Sequence, residues 1–523
     1  MDNVTHIFVD THRVGKPIWN IYSNINTFNY HGGWDRKLPT NFNLPFVKFV
    51  QFMIATGGEA KRDLFKNPAD RSVLDDYDFS SLINACRNVV VLGLLPHIKT
   101  GSVPEKFTTN PLSIDFGTNV LPPDDMEVYY NYIKAMAKAL LAEFGKNELL
   151  KWHFGVMVEY ENRGWFSVDD DPVKTEAAYC KLYDYTVAAL QTVIGNDVCV
   201  GAHSMSCIEG LWPEEHFIEH CAKGVNAKTG ETGSRLCFLN VSYYDQIPGH
   251  FNERTLSDTI NIVRSAAEGA GLHGLIYGVD EGRILSGSDN KPLGPRAVGQ
   301  TYQAAHDAKL AREMLDNDIN YFSHWGYTSN NVFGGVPSVA MHTAELFYMM
   351  NNSLRVGFSV DGNATFNPKA KKEINGFSAI NKENGKEKLY TLIYSFNTDI
   401  NDKGEDNVSI SFDISKPKNV LIYKVDDNCN FFCDWEKDRA NAGITDDDFE
   451  WSKDSFVIPS SSKKNKEQFD LFNKNIEKYA TKAILKPIEV EASILDMGCK
   501  EKGKWSIDID IPYHGVCLIE IDL

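Results

Sequence analysis

A (β/α)8 barrel (α/β class, TIM-type) carrying an accessory antiparallel β-sandwich is the fold that this sequence predicts. Three observations predict it. Between about residues 17 and 355, eight short apolar runs alternate with amphipathic helical segments, which is the strand and helix count of a closed parallel barrel. After about Leu354, apolar and polar residues alternate instead, as in antiparallel strands with one wet face. The chain has 523 residues, which at ~150 per domain allows about three domains, or one large barrel with an appended module. The division expected is an N-terminal strand within 1–16 that joins the sandwich, the barrel over 17–355 and the sandwich over 356–523.

The elements follow in order. PIWNIYSN, FVKFVQFMIA, NVVVLGLLPHIK, WHFGVMVEY, DVCVGAHSM, RLCFLNVSYY, GLIYGVDE and INYFSHWGY each read as a strand buried on both faces. The clearest intervening helix runs from about Asp124 to Phe144, with Asp124 and Glu127 placed as a capping box. Met126, Tyr130, Ile133, Met136, Ala137, Leu140, Leu141 and Phe144 form its apolar stripe, and Gly145 is its stop. In the last third, VSISFDI, NVLIYKVD, KWSIDIDI and GVCLIEIDL alternate, separated by Asn- and Lys-rich loops such as NKENGKEK and PSSSKKNKEQ. HIFVD, near the N-terminus, is the candidate extra strand of that sheet.

Composition excludes several functional classes. The chain is 43% hydrophobic, 24% charged and 12% aromatic, ordinary globular values that exclude disordered and fibrous readings. With 71 acidic against 53 basic residues the formal charge is −18, so nucleic acid and anionic membrane are not expected partners. No apolar run approaches the length of a membrane span. The N-terminal stretch lacks the apolar core of a secretory signal, so a cytoplasmic location is expected. Ten cysteines then read as reduced thiols, mostly small buried hydrophobes. Cys429 and Cys433 are the closest two, and nothing nearby completes a zinc set.

Two motifs fail on context. GAGLHG (Gly269 to Gly274) ends a helix and leads into a strand, whereas a dinucleotide fingerprint follows a strand and opens a helix. HFIEH (His216 to His220) matches a zinc-peptidase pattern but lies in an acidic helix without a third ligand. What remains is carboxylates at strand ends. Strand four runs WHFGVMVEYEN and ends on Glu159, with Glu161 two residues on; strand seven runs GLIYGVDEGR and ends on Asp280 and Glu281. The C-terminal strand ends of a barrel carry its chemistry, and an acid after an apolar run is costly to bury. Acids there serve either as a catalytic pair across the barrel mouth or as partners of Arg or Lys.

The helix-then-strand stretch YYNYIKAMAKALLAEFGKNELLKWHFGVMVEYENRGWF resembles glycoside hydrolase family 39, which includes β-xylosidases and α-L-iduronidase. Its usual text is approximately W-x-F-E-V-W-N-E-P-N, then F-W. This chain keeps Trp152, Phe154, Val156 and Glu159 and closes on Trp165 and Phe166 without gaps. KLYDYTVAAL and DVCVGAHSM continue the match, and Glu281 falls where the family's nucleophile follows strand seven. INYFSHWGYTS and GGVPSVAMHTAELFYMM resemble its eighth strand and next helix, GLLPHIKTGSVPE its third-strand loop, and VDDNCNFFCDW a segment of its sandwich.

The resemblance implies retaining glycoside hydrolysis without metal or organic cofactor. It assigns Glu159 as acid/base and Glu281 as nucleophile, their carboxyl groups ~5–5.5 Å apart. The expected substrate is an oligosaccharide or glycoside, attacked exo-wise and β-xylosidase-like. The alternatives are the same mechanism on an arabinoside, galactoside or uronide, or a non-catalytic carbohydrate-binding barrel. Two departures stand out: Val158 replaces the Asn that normally bonds the sugar 2-OH, and Tyr160 replaces the Pro. Glu161 is the rival acid, ending the same strand on the same side as Glu159 by two-residue periodicity. The candidate substrate-binding residues are His97 and Lys99 after strand three, Asn162 and Trp165 beyond the acid, Tyr244 after strand six, Arg283 beside Glu281, and His324 and Trp325 ending strand eight. Tyr244 is expected to orient the nucleophile, and Trp325 to floor the sugar ring. Asp169, Asp170 and Asp171 read as a helix-start cluster. A homo-oligomer is compatible with the family.

Overall fold

The computed structural model describes residues 4–26, 44–59, 63–246, 253–286, 300–324, 336–383, 386–444, 465–499 and 501–523. A nine-stranded sheet begins with β1 (Thr5–Asp10), and the chain then enters a closed barrel of eight strands. These are β2 (Asn24–Asn26), β3 (Phe49–Phe52), β4 (Leu95–Thr100), β5 (His153–Val156), β6 (Cys199–Ser204), β7 (Phe238–Gln246), β8 (Ile276–Ser286) and β9 (Tyr321–His324). Each pairs in parallel with the next, and β2 closes on β9 through Asn24 and Ser323. This is the expected (β/α)8 barrel.

Several strands are shorter than their apolar runs, whereas β8 continues past its run to Ser286. Asn88 to Val91, expected in strand three, close the helix Ser80–Val91, and the strand begins only at Leu95. An apolar run without periodicity fits either element, and here its first half packs as the last helical turn, with Val89 buried. Likewise the segment from Pro17 to Ser23 leads into β2 instead of pairing along its length. The helix over Met126–Phe144 is capped by Asp125, whose side chain accepts from the Glu127 amide; Asp124 instead accepts from the Thr109 hydroxyl. Asp171 caps the helix Pro172–Ile194, accepting from Val173 and Lys174. Gly271 and Gly274 terminate the helix Leu256–Ala270 and turn the chain into β8, both with positive φ. His216 and His220 sit on their helix against Glu176 and Asp184.

The remaining strands are β10 (Leu354–Val360), β11 (Lys372–Glu383), β12 (Lys386–Asn397), β13 (Glu405–Phe412), β14 (Asn419–Val425), β15 (Ile488–Glu489), β16 (Trp505–Pro512) and β17 (Val516–Asp522). The order is β15-β14-β17-β12-β11-β10-β1-β13-β16, antiparallel throughout except that β1 runs parallel to β13. Residues from both ends of that order, among them Val420, Ile519, Leu389, Ile410 and Trp505, share one apolar core, so the sheet folds over itself. Its other face joins the barrel's core through Phe377, Leu392, Tyr394 and Leu518. The helix Tyr302–Asp316 lies between, with Arg312 donating to the Gly376 carbonyl and Lys309 paired with Glu373.

None of the ten cysteines is paired, and six are buried. Among the described residues no helix is long and apolar enough to cross a membrane.

Candidate active site

Acids reach the barrel mouth by two backbone devices. In β8 the register against β7 slips by one residue: Val241 faces Val279, but Ser242 faces Glu281. Alternation normally sends successive side chains to opposite faces. The extra residue of this bulge turns Asp280 and Glu281 inward together. On β5 the strand ends at Val156, and Met157 and Glu159 both adopt left-handed backbone, φ 63° and 42°. Non-glycine residues rarely take that conformation, which costs about 1 kcal/mol or more each. It is held here because the Met157 amide donates to the Thr100 carbonyl and the Tyr160 amide to the His203 carbonyl.

Glu159 is 5% and Glu281 4% exposed, and with His203 they present side-chain atoms all within 4.8 Å of one another. Ser242 lies between them, hydrogen-bonded to Glu159 Oε1 and 3.3 Å from Glu281 Oε1. Asn162 donates to Glu159 Oε2 at 2.7 Å, and Tyr244 hydrogen-bonds Glu281. Burial and the adjacent Glu159 push the Glu281 carboxyl up to about 8. Two carboxyls this close hold one proton between them at neutral pH.

Beneath the pair lies a closed charge network. The Lys99 ammonium is 2.8 Å from Asp280 Oδ2 and donates to His203 Nδ1 at 2.6 Å, all three side chains being fully buried. Gly155, beside it on β5, leaves the space for the lysine stem: a Cβ there would lie 3.2 Å from Lys99 Cγ. Asp280 Oδ1 accepts from Tyr321 at 2.7 Å and Asn240 at 3.1 Å. Burial opposes its charge, but the Lys99 ammonium outweighs it and holds the carboxyl well below the usual range. His203 is held neutral, its pKa driven well below normal by burial and then by Lys99.

Lysine can only donate, so His203 Nδ1 is an acceptor and its hydrogen sits on Nε2, aimed at Ser242 Oγ 2.9 Å away. That tautomer has no lone pair left for a metal, so the cluster of Glu159, His203 and Glu281 fits proton chemistry and not cation ligation.

The other expected residues fall in several places. Lys99 is in the barrel interior, its charge matched by Asp280, and not open to a ligand. His97 is fully buried on the same strand, packed edge-on against His153 and Phe238 and kept neutral by burial with a pKa of about 3. His324 ends β9, buried, 3.4 Å from Asp307. Trp165 stacks on the exposed ring of Phe116, centroids 4.3 Å apart. The backbone of Arg283 pairs with Tyr244, and Trp325 lies outside the described residues. Val158 is buried in the apolar core.

Glu161 does not share the mouth with Glu159, because the two-residue period stops where the strand stops. Its Oε1 accepts from the Ser204 hydroxyl at 2.7 Å and from the amides of Met205 and Ser206. Burial and then Glu214 push it up to about 8. The residues that sequence reasoning missed are Ser242 and His203. Both stand in runs already identified, SYY in strand six and GAHSM in strand five, but neither residue type marks itself as part of a carboxylate pair.

Residues 63–265 match the model of the family described as glycosyl hydrolases family 39. A β-xylosidase of Caldicellulosiruptor saccharolyticus is 23% identical over 273 residues, 51% of this chain and 52% of that protein, so the chain spans about half the length of this relative. Among solved structures, the family 39 enzyme of Xanthomonas axonopodis pv. citri superposes with TM-score 0.66 at 12% identity, over 100% of this chain and 98% of that one. A family 39 β-xylosidase of Caulobacter crescentus gives 0.62 at 14% identity, over 99% and 100%. These likenesses show the barrel and its accessory sheet. Over that segment, which spans Glu159 and the strands on either side of it, the chain is similar to glycosyl hydrolases family 39.

Proposed function

We propose that the chain is a retaining glycoside hydrolase, exo-acting on oligosaccharides with a β-xyloside-like glycone. The observation that carries this reading is the pair Glu159 and Glu281: buried, one just beyond barrel strand four and one on strand seven, and within 4.8 Å. Retaining enzymes place their carboxyls ~5–5.5 Å apart, whereas inverting enzymes leave ~6.5–9.5 Å for a water.

In the reactive form of the pair its single proton is on Glu159: ionised Glu281 attacks the anomeric carbon while the Glu159 carboxyl gives that proton to the departing glycosidic oxygen. The C–O bond to the aglycone breaks as the ester to Glu281 forms. Glu159, now a carboxylate, takes a proton from water. The hydroxide so formed attacks the anomeric carbon and releases Glu281, restoring both groups. Asn162 and Ser242 hold Glu159, Tyr244 holds Glu281, and the Lys99–Asp280 pair keeps a cation beneath both carboxyls. The relative named a β-xylosidase supports the xyloside glycone. Val158, which cannot bond a sugar 2-OH, supports the second reading: the same mechanism on an arabinoside, galactoside or uronide.

The test is a panel of aryl β-xylosides, α-L-arabinosides, galactosides, glucosides and iduronides, with wild type, Glu281→Ala and Glu159→Ala. Turnover of one member should vanish in Glu281→Ala. Azide should rescue Glu159→Ala, giving a glycosyl azide of retained configuration. An azide of inverted configuration, or undiminished turnover by Glu281→Ala, refutes the assignment.

A further inference from the structure

We propose that Ser242 is a positioning residue that keeps one proton, and only one, on the Glu159–Glu281 pair, its hydroxyl being steered by Lys99 through His203. The inference rests on reading that pair as the catalytic carboxylates.

A serine hydroxyl offers one hydrogen and two lone pairs. Among the described residues Ser242 Oγ has three polar neighbours: His203 Nε2 at 2.9 Å, Glu159 Oε1 in a short contact, and Glu281 Oε1 at 3.3 Å. Lys99 fixes His203 as a donor, which takes one lone pair. One lone pair and one hydrogen remain for two carboxyl groups. They match a pair in which one carboxyl carries a proton and the other does not. Two carboxylates would compete for one hydrogen, and two carboxylic acids would both donate to one lone pair.

The valence match also follows the reaction. Before attack, the Glu159 O–H donates to Ser242 Oγ and the Ser242 O–H donates to the Glu281 carboxylate. Once the Glu159 proton is on the leaving oxygen and Glu281 is an ester, rotation about the Ser242 Cβ–Oγ bond turns the hydroxyl hydrogen to the new Glu159 carboxylate. No atom is gained or lost. The tautomer of His203 stays fixed because Lys99, locked against Asp280, remains a donor throughout.

Among the described residues, the other charged and titratable groups around the pair hold a constant state across this cycle. From β4 comes Lys99 and from β8 Asp280, a closed ion pair. His203 on β6 is neutral, and burial raises the Cys207 thiol far out of range. Tyr244 on β7 donates to Glu281. The proton count of the pair is therefore left to the two glutamates and the hydroxyl between them.

The experiment compares wild type, Ser242→Ala and Ser242→Thr by the pH profile of kcat/KM and by carboxyl 13C NMR titration of glutamate-labelled enzyme. Glu159→Gln and Glu281→Gln assign the resonances. Loss of the hydroxyl should move the acidic limb up and the basic limb down, narrowing the one-proton window by about one pH unit per limb. Ser242→Thr, which keeps the hydroxyl, should restore the width. An unchanged separation of the two macroscopic steps in Ser242→Ala overturns the proposal, as does a parallel shift of both limbs. The NMR titration needs no turnover, so it judges the proton sharing even if Glu281→Ala shows that the pair is not catalytic.

Discussion

Replacing Lys99 with methionine tests whether the barrel interior beneath the mouth is held by charge pairing. Lys99 and Asp280 are fully buried and 2.8 Å apart. Removing one partner of such a pair leaves a buried charge uncompensated, which costs about 3–5 kcal/mol. Asp280 keeps hydrogen bonds from Tyr321, Asn240 and Gln51, so the loss belongs near the lower figure, about 3 kcal/mol at pH 7.

The cost must depend on pH, and its sign follows from the direction of each shift. In the wild type Asp280 is held below its ordinary value, so its contribution is present above the unfolded carboxyl pKa and is lost as pH falls. Without Lys99, burial dominates and raises that carboxyl. The variant is then favoured at low pH and weakened as pH rises. The deficit is therefore widest near neutrality and shrinks toward pH 4. Urea unfolding followed by tryptophan fluorescence at several pH values measures it. Adding Asp280→Asn to Lys99→Met should recover most of the loss, because no charge is then left buried. A deficit below about 1 kcal/mol at pH 7, or one that is flat from pH 7 to pH 5, refutes the reasoning.

Glu161→Gln should flatten the pH dependence of stability between about pH 5 and 8. Glu161 is raised to about 8 in the fold, so its contribution is present at low pH and lost as pH rises, by about 1.4 kcal/mol per unit. Calorimetry on wild type and variant across that range reads the difference, and parallel curves would sink the idea. Gly201→Ala places a Cβ 2.4 Å from both the Phe238 ring and its backbone oxygen, where the adjoining strand cannot yield. A loss of about 1–3 kcal/mol is expected, and a urea midpoint equal to wild type would contradict it. Asn162→Ala removes a hydrogen bond to Glu159, the proposed acid/base. It should lower kcat more than it raises KM, by about tenfold for an interaction near 1.4 kcal/mol. A change confined to KM would place Asn162 in substrate binding alone.

The sequence by itself determined the barrel, because eight apolar runs spaced by amphipathic helices have few other ways to bury both faces of a parallel sheet. It also marked four acids at the ends of strands four and seven, Glu159, Glu161, Asp280 and Glu281, since an acid directly after such a run is costly to bury, and the resemblance to family 39 singled out Glu159 and Glu281. Tertiary structure decided which acids meet. A bulge in β8 turned the neighbours Asp280 and Glu281 inward together, one to Lys99 and one to the mouth. Left-handed backbone at Met157 and Glu159 separated Glu159 from Glu161, which two-residue spacing had put on one side. Lys99 and His97 read as open to a ligand because they follow an apolar run, yet they lie inside because Asp280 on a distant strand matches the charge of one and burial keeps the other neutral. Ser242 and His203 gain their place only from strands β6 and β7 lying side by side. Backbone irregularity and cross-strand pairing are long-range outcomes of packing, and the periodicity of one segment carries no record of them.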